Sequence, residues 1–166
     1  YYISCDYGTM NPCSMGLWCI DGGTAYRTAE YYYNGREERQ QKTDEEYYSA
    51  LDKLAGGRTI QAIVIDPSAA SFIETIRRHG KYRVNKANNA VLDGIRVTNS
   101  LLNAERIRIH ENCADIIREF SAYSWDDKKQ EDAVIKENDH AMDDMRYFCM
   151  NRHAKVAHIM RWMICA

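Results

Sequence analysis

Long apolar runs, secretory features, paired-cysteine motifs and an excess of charge are all missing from this 166-residue sequence. The longest apolar stretch, 156–165, is interrupted by His158 and Arg161 and is too short to span a bilayer. No basic and apolar leader opens the chain, and no Met initiates it, so we expect an excised domain of a protein that is not secreted. These absences exclude a membrane-spanning or exported protein from the expected classes.

The cysteines and the charge balance exclude two further classes. The six cysteines stand at positions 5, 13, 19, 113, 149 and 165, without a CxxC pair or the Cys/His spacing of a zinc site. They are typical of reduced, mostly buried thiols in a cytosolic protein. The formal net charge is −2, so no strong global field attracts nucleic acid. Any nucleic-acid binding must therefore rest on local basic patches.

The remaining composition is that of one globular domain, with 45% hydrophobic and 28% charged residues. The turn at Asp21-Gly22-Gly23 is typical of a tight hairpin. Thr43-Asp44-Glu45-Glu46 is typical of a capping box that opens a helix through Leu54. The first third of the chain predicts three antiparallel strands, at 1–5, 14–20 and 25–33.

Strands and helices alternate from residue 62 onwards. The apolar, β-branched run 62–66 predicts a strand that is covered on both faces, as in a parallel sheet. We expect a hairpin with arms at 123–125 and 133–136 and a charged tip between them. The whole pattern predicts an α/β fold whose mixed central sheet is antiparallel in its first three strands, then parallel, and is flanked by helices. The other predicted elements are a helix starting at Pro67, helices over 91–103, 113–120 and 139–152, and short extended stretches at 82–85 and 106–110.

Acidic residues at three places carry the chemistry that the sequence suggests. Asp6 follows an apolar strand and precedes Gly8, and Asp66 ends the most strongly buried predicted strand. Such strand ends lie at the rim of a sheet, where open α/β folds place their sites. The third place is the last helix. A helical wheel groups four polar residues there opposite the apolar stripe, namely Asp139, His140, Asp143 and Tyr147. Asp144 lies at the edge of this group.

Converging carboxylates repel one another unless cations neutralise them, and ligands that are all oxygen favour Mg²⁺ or Mn²⁺ over zinc. Two such ions about 3.5–4 Å apart would activate water and stabilise the leaving oxygen of a phosphodiester. Each piece has a structural alternative. Asp6 can belong to a turn, Asp66 can be a helix-entry residue, and the polar group on the last helix can be a solvated face. The combination of all three in one domain favours a metal site.

Residues 136–147, KENDHAMDDMRY, resemble the signature Lys-x-Asn-Asp-His-x-x-Asp-Ala-x-Arg-Tyr of a known family. That family is the C-terminal nuclease domain of tailed-bacteriophage terminase large subunits, which has a ribonuclease H-like fold. The resemblance covers about residues 1–152, and Tyr123-Ser124-Trp125 also fits it. We expect the ribonuclease H-like domain to span 1–153, followed by a tail, 154–166, with helical spacing of its apolar residues.

The resemblance implies specific roles for the acidic residues. Asp6, Asp66 and Asp143 would be the catalytic carboxylates that bind two metal ions, and His140 would be an auxiliary catalytic residue. Asp139 joins the expected metal ligands through helical geometry alone. Asp144 stands where the family usually has a small residue, so the choice between Asp143 and Asp144 stays open, although the wheel favours Asp143.

The resemblance also implies a function and partners. We expect an endodeoxyribonuclease, dependent on Mg²⁺ or Mn²⁺, that cuts concatemeric viral DNA during genome packaging in the host cytoplasm. Its partners would be double-stranded DNA and, in the full-length protein, an ATPase domain, the small terminase and the portal. No Walker motif occurs here, so the motor is expected outside this chain. We expect a monomer with no membrane contact, binding DNA phosphates through Lys128 and Lys129 at the hairpin tip and through Lys86.

Two alternatives stay open at this point. Another ribonuclease H-like nuclease, of the resolvase or integrase type, shares the order of the acidic motifs but lacks the Asn-Asp-His-x-x-Asp helix. A non-catalytic module would bind DNA or the portal without cutting. A kinase of the actin-like fold, suggested by Asp6-Tyr7-Gly8-Thr9, needs a second domain for which this chain is too short.

Overall fold

The structure, a computed structural model, describes residues 1–124 and 138–164, the stretch 153–164 as backbone only. The predicted hairpin tip at 126–132, with Lys128 and Lys129, lies outside the described residues. The elements in chain order are β1 (Tyr2–Asp6), β2 (Cys13–Asp21), β3 (Thr24–Tyr33), α1 (Asp44–Ala55), β4 (Ile63–Ile65), α2 (Ala70–His79), β5 (Val84–Lys86), α3 (Val91–Asn103), β6 (Ile107–Ile109), α4 (Ala114–Ala122) and α5 (His140–Ile164).

The strands form a mixed sheet in the order β5-β4-β1-β2-β3-β6. Strand β2 pairs antiparallel with β1 on one side and with β3 on the other. The three later strands pair parallel: β4 with β1, β5 with β4, and β6 with β3. The predicted mixed sheet is therefore confirmed. Gly22 and Gly23, both at positive φ, form the predicted turn between β2 and β3.

Local capping signals set the ends of the first helix. The Thr43 hydroxyl accepts the Glu46 amide at 3.3 Å, and the Glu46 carboxylate accepts the Thr43 amide at 2.8 Å. Gly56 then ends α1 in the left-handed conformation, at φ 55°. The predicted start of α2 at Pro67 is wrong by three residues, because Asp66 first accepts the Ser68 amide and forms a turn that leads into the helix at Ala70.

Apolar side chains cover both faces of the sheet. Because side chains alternate along a strand, Leu17 packs on the α1–α2 side and Trp18 on the α4–α5 side. Trp18 stacks on Phe148 of α5, with ring centroids 4.3 Å apart. No helix in the described part of the chain is long and apolar enough to cross a membrane. The α5 stripe is buried as predicted, through Ala141, Met142, Met145, Phe148 and Cys149.

The buried face of α4 differs from the predicted one. The apolar residues that marked this helix in the sequence are Cys113, Ile116, Ile117 and Phe120, but Ile117 and Phe120 are 42% and 46% exposed. Glu119 is fully buried instead. Its carboxylate accepts the amides of Ala141 and Met142 at 2.6 and 3.3 Å, so the helix turns a charged residue inward to cap the start of α5.

Candidate active site

Parallel pairing of β1 and β4 brings two of the predicted site residues to one sheet edge. Cys5 and Ile65 are register partners, so the residues that follow them, Asp6 and Asp66, emerge side by side. Helix α5 packs against both strands and carries Asp143 to the same edge. The three carboxylates that the sequence singled out therefore meet at the carboxyl ends of neighbouring strands.

A cleft of about 630 Å³ opens at this edge. The loop after β1 forms one wall with Tyr7, Gly8, Asn11 and Pro12, and the loop after β3 contributes Asn34 and Arg36. The start of α5 forms the floor with Asn138, Asp139, His140 and Asp143, and Asp6 completes the lining. Asp66 lies beside the cleft rather than in its lining.

Each of the three carboxylates has a side-chain partner on α5. The His140 Nδ1 atom lies 2.8 Å from the Asp6 Oδ2 atom. The Tyr147 hydroxyl donates to Asp66 Oδ2 at 2.8 Å. Arg146 donates to Asp143 Oδ1 through two guanidinium nitrogens, at 3.1 and 2.9 Å. Helix α5 thus supplies one carboxylate of the site together with the partners of all three.

The pKa shifts reflect burial and the crowding of negative charge. Burial raises the pKa of Asp6 to about 6, and the charge of Asp143 adds to the rise while His140 opposes it. Burial alone would lower the pKa of His140, but the hydrogen bond with Asp6 and its charge raise it above its usual value. Burial, followed by the charges of Asp6 and Asp143, raises the pKa of Tyr147 far above its usual range. A buried Asp6 beside other carboxylates is a place where a cation is stabilising.

The polar side of α5 is not a solvated face. Tyr147 is 3% exposed and Asp139 is 8% exposed, so both side chains are buried. The Asp139 carbonyl accepts the Asp143 amide at 2.7 Å, which makes Asp139 the N-cap residue of the helix. The alternative that this polar group is only solvent-facing is wrong.

Asp144 and Asp143, adjacent in sequence, lie in different surroundings. Asp144 is fully buried under the sheet face and accepts two hydrogen bonds from Arg27, at 2.5 and 3.0 Å. The hydroxyls of Ser4 and Ser14 also donate to it. Asp144 does not line the cleft, whereas Asp143 does. Of the two residues between which the sequence left the choice open, the geometry favours Asp143 as a site residue.

The donor set has the chemistry of a site for a hard cation. Asp6, Asp139 and Asp143 present carboxylate oxygens to one cleft, and Asp66 lies beside them. Within residues 1–124 and 138–152, however, no three His, Cys, Asp or Glu side chains converge closely enough to hold a metal ion. Asp6, Asp66 and Asp143 each bond an α5 side chain in this arrangement, so metal binding would require these carboxylates to move closer together.

The predicted DNA contacts have different outcomes. Lys86 ends β5 in register with Ile65, at the same sheet edge as Asp66. Its side chain lines a separate pocket with Asn88 and Asp93, so the structure does not bring it into the cleft. The prediction for Lys128 and Lys129 concerns residues that are not described.

Sequence reasoning missed the residues that surround the carboxylates: Arg27, Arg36, Glu119, Arg146 and, as a partner of Asp66, Tyr147. For two of them, Arg27 and Glu119, the sequence contains a pattern that could have identified the residue. Arg27 lies two positions after the buried Ala25 on β3, so strand alternation points its charge inward. Glu119 lies three positions, about one helical turn, after the buried Ile116, so the two side chains can share one face of α4.

Comparison with known proteins gives a consistent result. Residues 5–152 match the family described as terminase RNaseH-like domain. The chain is 46% identical to the large terminase of the thermophilic bacteriophage D6E, solved in complex with ADP, with a TM-score of 0.87 over 90% of this chain and 38% of that one. It is 20% identical to the large terminase nuclease domain of bacteriophage SPP1, solved with bound Mn, with a TM-score of 0.62 over 89% of this chain and 84% of that one.

A third relative is the terminase large subunit of Escherichia phage T5. It is 23% identical over 128 residues, which are 74% of this chain and 29% of the relative. The chain therefore spans only about a third of the length of the phage T5 and D6E proteins that it matches.

Proposed function

The chain belongs to the family of terminase RNase H-like domains, and on that premise we propose that it is a metal-dependent endonuclease that cuts concatemeric viral DNA during genome packaging. The observation that carries this proposal is the meeting of Asp6, Asp66 and Asp143 at one sheet edge in a chain with the family's fold. The Mn bound in the related SPP1 nuclease domain supports a divalent cation as the cofactor.

Asp6, Asp66 and Asp143 are the residues that would hold two Mg²⁺ or Mn²⁺ ions, with Asp139 as a further ligand. When bound, such ions would activate water and stabilise the leaving oxygen of a phosphodiester. The remaining chemistry belongs to the chain itself. His140 orients Asp6, Arg146 orients Asp143, and each neutralises charge in the cleft.

The substrate and partners follow from the family and from the position of the cleft. Double-stranded DNA would be positioned by contacts with its phosphates, which carry no sequence information. In the full-length protein an ATPase domain, a small terminase and a portal would act with this domain in the host cytoplasm. The chain on its own is proposed to be a monomer.

Plasmid cleavage tests the proposed function. Supercoiled plasmid should be nicked and linearised by the chain with Mn²⁺ or Mg²⁺ and should stay intact with EDTA, because the carboxylates need cations to act on a phosphodiester. Gel electrophoresis of the three topological forms measures the result. A folded chain that binds the plasmid but leaves it supercoiled with both metals would contradict a nuclease and would support a non-catalytic DNA-binding module.

Tyr147→Phe tests the orientation of Asp66. The substitution removes only the hydroxyl that donates to Asp66 Oδ2, and the ring keeps its packing with Val64 and Ala87. Outer partners of metal ligands typically contribute 10- to 100-fold to affinity, so we expect binding of Mn²⁺ to weaken about tenfold. Isothermal titration calorimetry measures it. The control is Tyr123→Phe, in the neighbouring apolar pocket. Equal affinities of the two variants for Mn²⁺ would refute the role of Tyr147.

A further inference from the structure

Arg36 is the one arginine in the described lining of the cleft that holds the acidic residues. It lies in the loop 34–42, between β3 and α1, and its side chain is exposed. The loop faces the start of α5 across the cleft, so Arg36 lines a wall whose floor carries Asp139 and Asp143. A cation in this position can either pair with a carboxylate of the site or bind a ligand that enters the cleft.

The loop holds Arg36 in a defined place. The Asn34 side chain accepts the Arg36 amide at 3.2 Å, and the Gly35 carbonyl accepts the Gln40 amide at 3.1 Å. The Tyr33 hydroxyl donates to the Gln40 carbonyl at 2.7 Å, which ties the end of the loop back to β3. These bonds form a compact turn of the kind that can present a side chain reproducibly.

A close backbone contact joins this loop to the other wall of the cleft. A Cβ atom on Gly35 would lie 2.7 Å from the Thr9 carbonyl oxygen and 3.4 Å from the Met10 Cα atom. Only glycine allows this approach, so the loop after β3 is fixed against the loop after β1. Arg36, the next residue, is thereby placed relative to the strand end that carries Asp6.

The Arg36 guanidinium forms no hydrogen bond or ion pair with the residues that the structure describes. Six other arginines in those ranges each pair with a carboxylate: Arg27, Arg78, Arg96, Arg108, Arg118 and Arg146. Arg39, Arg77 and Arg83 are exposed and do not line the cleft. Arg36 therefore combines a cleft position with an unused charge, because His140 and Arg146 already serve Asp6 and Asp143.

We propose that Arg36 is a phosphate-binding residue that contacts the backbone of the DNA strand entering the cleft. The inference rests on the proposed nuclease function and deepens it. A chain with a net charge of −2 has no strong global field that attracts DNA, and the carboxylates make this cleft locally acidic. A guanidinium on the wall supplies the missing attraction, and its planar fork matches two oxygens of one phosphate.

Duplex binding by three variants tests this role. Anisotropy of a short fluorescein-labelled duplex is measured over a range of salt concentrations, with Ca²⁺ replacing Mn²⁺ so that binding is measured apart from cleavage. Arg36→Gln should raise Kd about tenfold, because one charged hydrogen-bonded contact is lost. It should also reduce the slope of log K against log salt by about 0.9, the value for one phosphate contact. Arg36→Lys should keep the slope and lose part of the affinity.

Arg39→Gln is the matched control, because it removes the same charge from an exposed position in the same loop that does not line the cleft. It should keep the affinity and the salt slope of the wild type. Equal behaviour of Arg36→Gln and Arg39→Gln, or no duplex binding by the wild type, would overturn the phosphate site.

Plasmid cleavage with Mn²⁺ separates this inference from the proposed function. If the wild type binds duplex and Arg36→Gln weakens binding, but no plasmid is cut, the phosphate site stands and the nuclease function fails. If the wild type cuts and the two glutamine variants behave alike, only the phosphate site fails. In a nuclease, Arg36→Gln should raise KM for DNA much more than it lowers kcat, since the proposed role of the residue is to bind the strand and not to take part in the reaction.

Discussion

Replacing Asp144 by Asn is expected to lower the free energy of unfolding by roughly 3–5 kcal/mol, because it removes the main counter-ion of a buried arginine. The side chains of Arg27 and Asp144 are both fully inaccessible to solvent. After the substitution, Glu30, at 3.2 Å, is the remaining carboxylate partner of Arg27. Water cannot replace the lost charge, so the cost is that of a buried guanidinium that keeps one carboxylate partner in place of two.

A double-mutant cycle measures this interaction. Urea denaturation is compared for the wild type, Asp144→Asn, Arg27→Met and the double variant. The double variant should be clearly less destabilised than the sum of the single variants, because the buried guanidinium that Asp144→Asn leaves short of a counter-ion is then absent as well. Asp93→Asn, in an exposed pair with Arg96, is the control and should change stability little. Additive costs at the buried pair would contradict the proposed coupling.

The buried pair also fixes how α5 presents the site. Arg27 on β3 holds Asp144, and the preceding residue, Asp143, then points to the cleft. Glu119 of α4 caps the first amides of α5, and Glu30 of β3 accepts the Asp115 and Ile116 amides at the start of α4. Charge-assisted hydrogen bonds thus link β3, α4 and α5 in a closed circuit beneath the candidate site.

The elements that sequence predicts well are those with local signals. The capping box at Thr43 and Gly56 at the other end of α1 set that helix from residues close in sequence. The helix that the sequence predicts over 91–103 is α3, and its observed bounds are the same, Val91–Asn103. Alternating strands and the Gly22-Gly23 turn likewise predicted the antiparallel part of the sheet.

The parts that sequence reasoning missed depend on distant partners. Arg27 and Asp144 are 117 positions apart, so strand alternation can show a charge pointing inward but not the residue that neutralises it. Glu119 was missed because Ile117 and Phe120 suggested a different buried face, while the cap that α5 requires comes from the fold. At the site, strand ends indicated Asp6 and Asp66, whereas Arg36 comes from a loop without a motif.

Asp143→Asn is expected to reduce metal-dependent plasmid cleavage about a thousandfold, because it removes a ligand charge that supports several kcal/mol of transition-state stabilisation. The amide keeps an oxygen that can accept from Arg146, so the partner arrangement on α5 is preserved better than with Ala. Thermal unfolding should therefore show a folded variant, and calorimetry should show weaker binding of Mn²⁺.

Asp139→Asn is the matched variant on the same turn of helix. Asn caps helices as well as Asp does, so the start of α5 is retained while one carboxylate of the cleft is lost. We expect cleavage to fall only about tenfold, since Asp139 is proposed as a further ligand beside the three main carboxylates, Asp6, Asp66 and Asp143. If Asp139→Asn abolishes cleavage while Asp143→Asn cuts within tenfold of the wild type, the two residues exchange roles. In that case Asp139, which lines the same cleft from the N-cap position, is the third ligand, and Asp143 serves to hold Arg146.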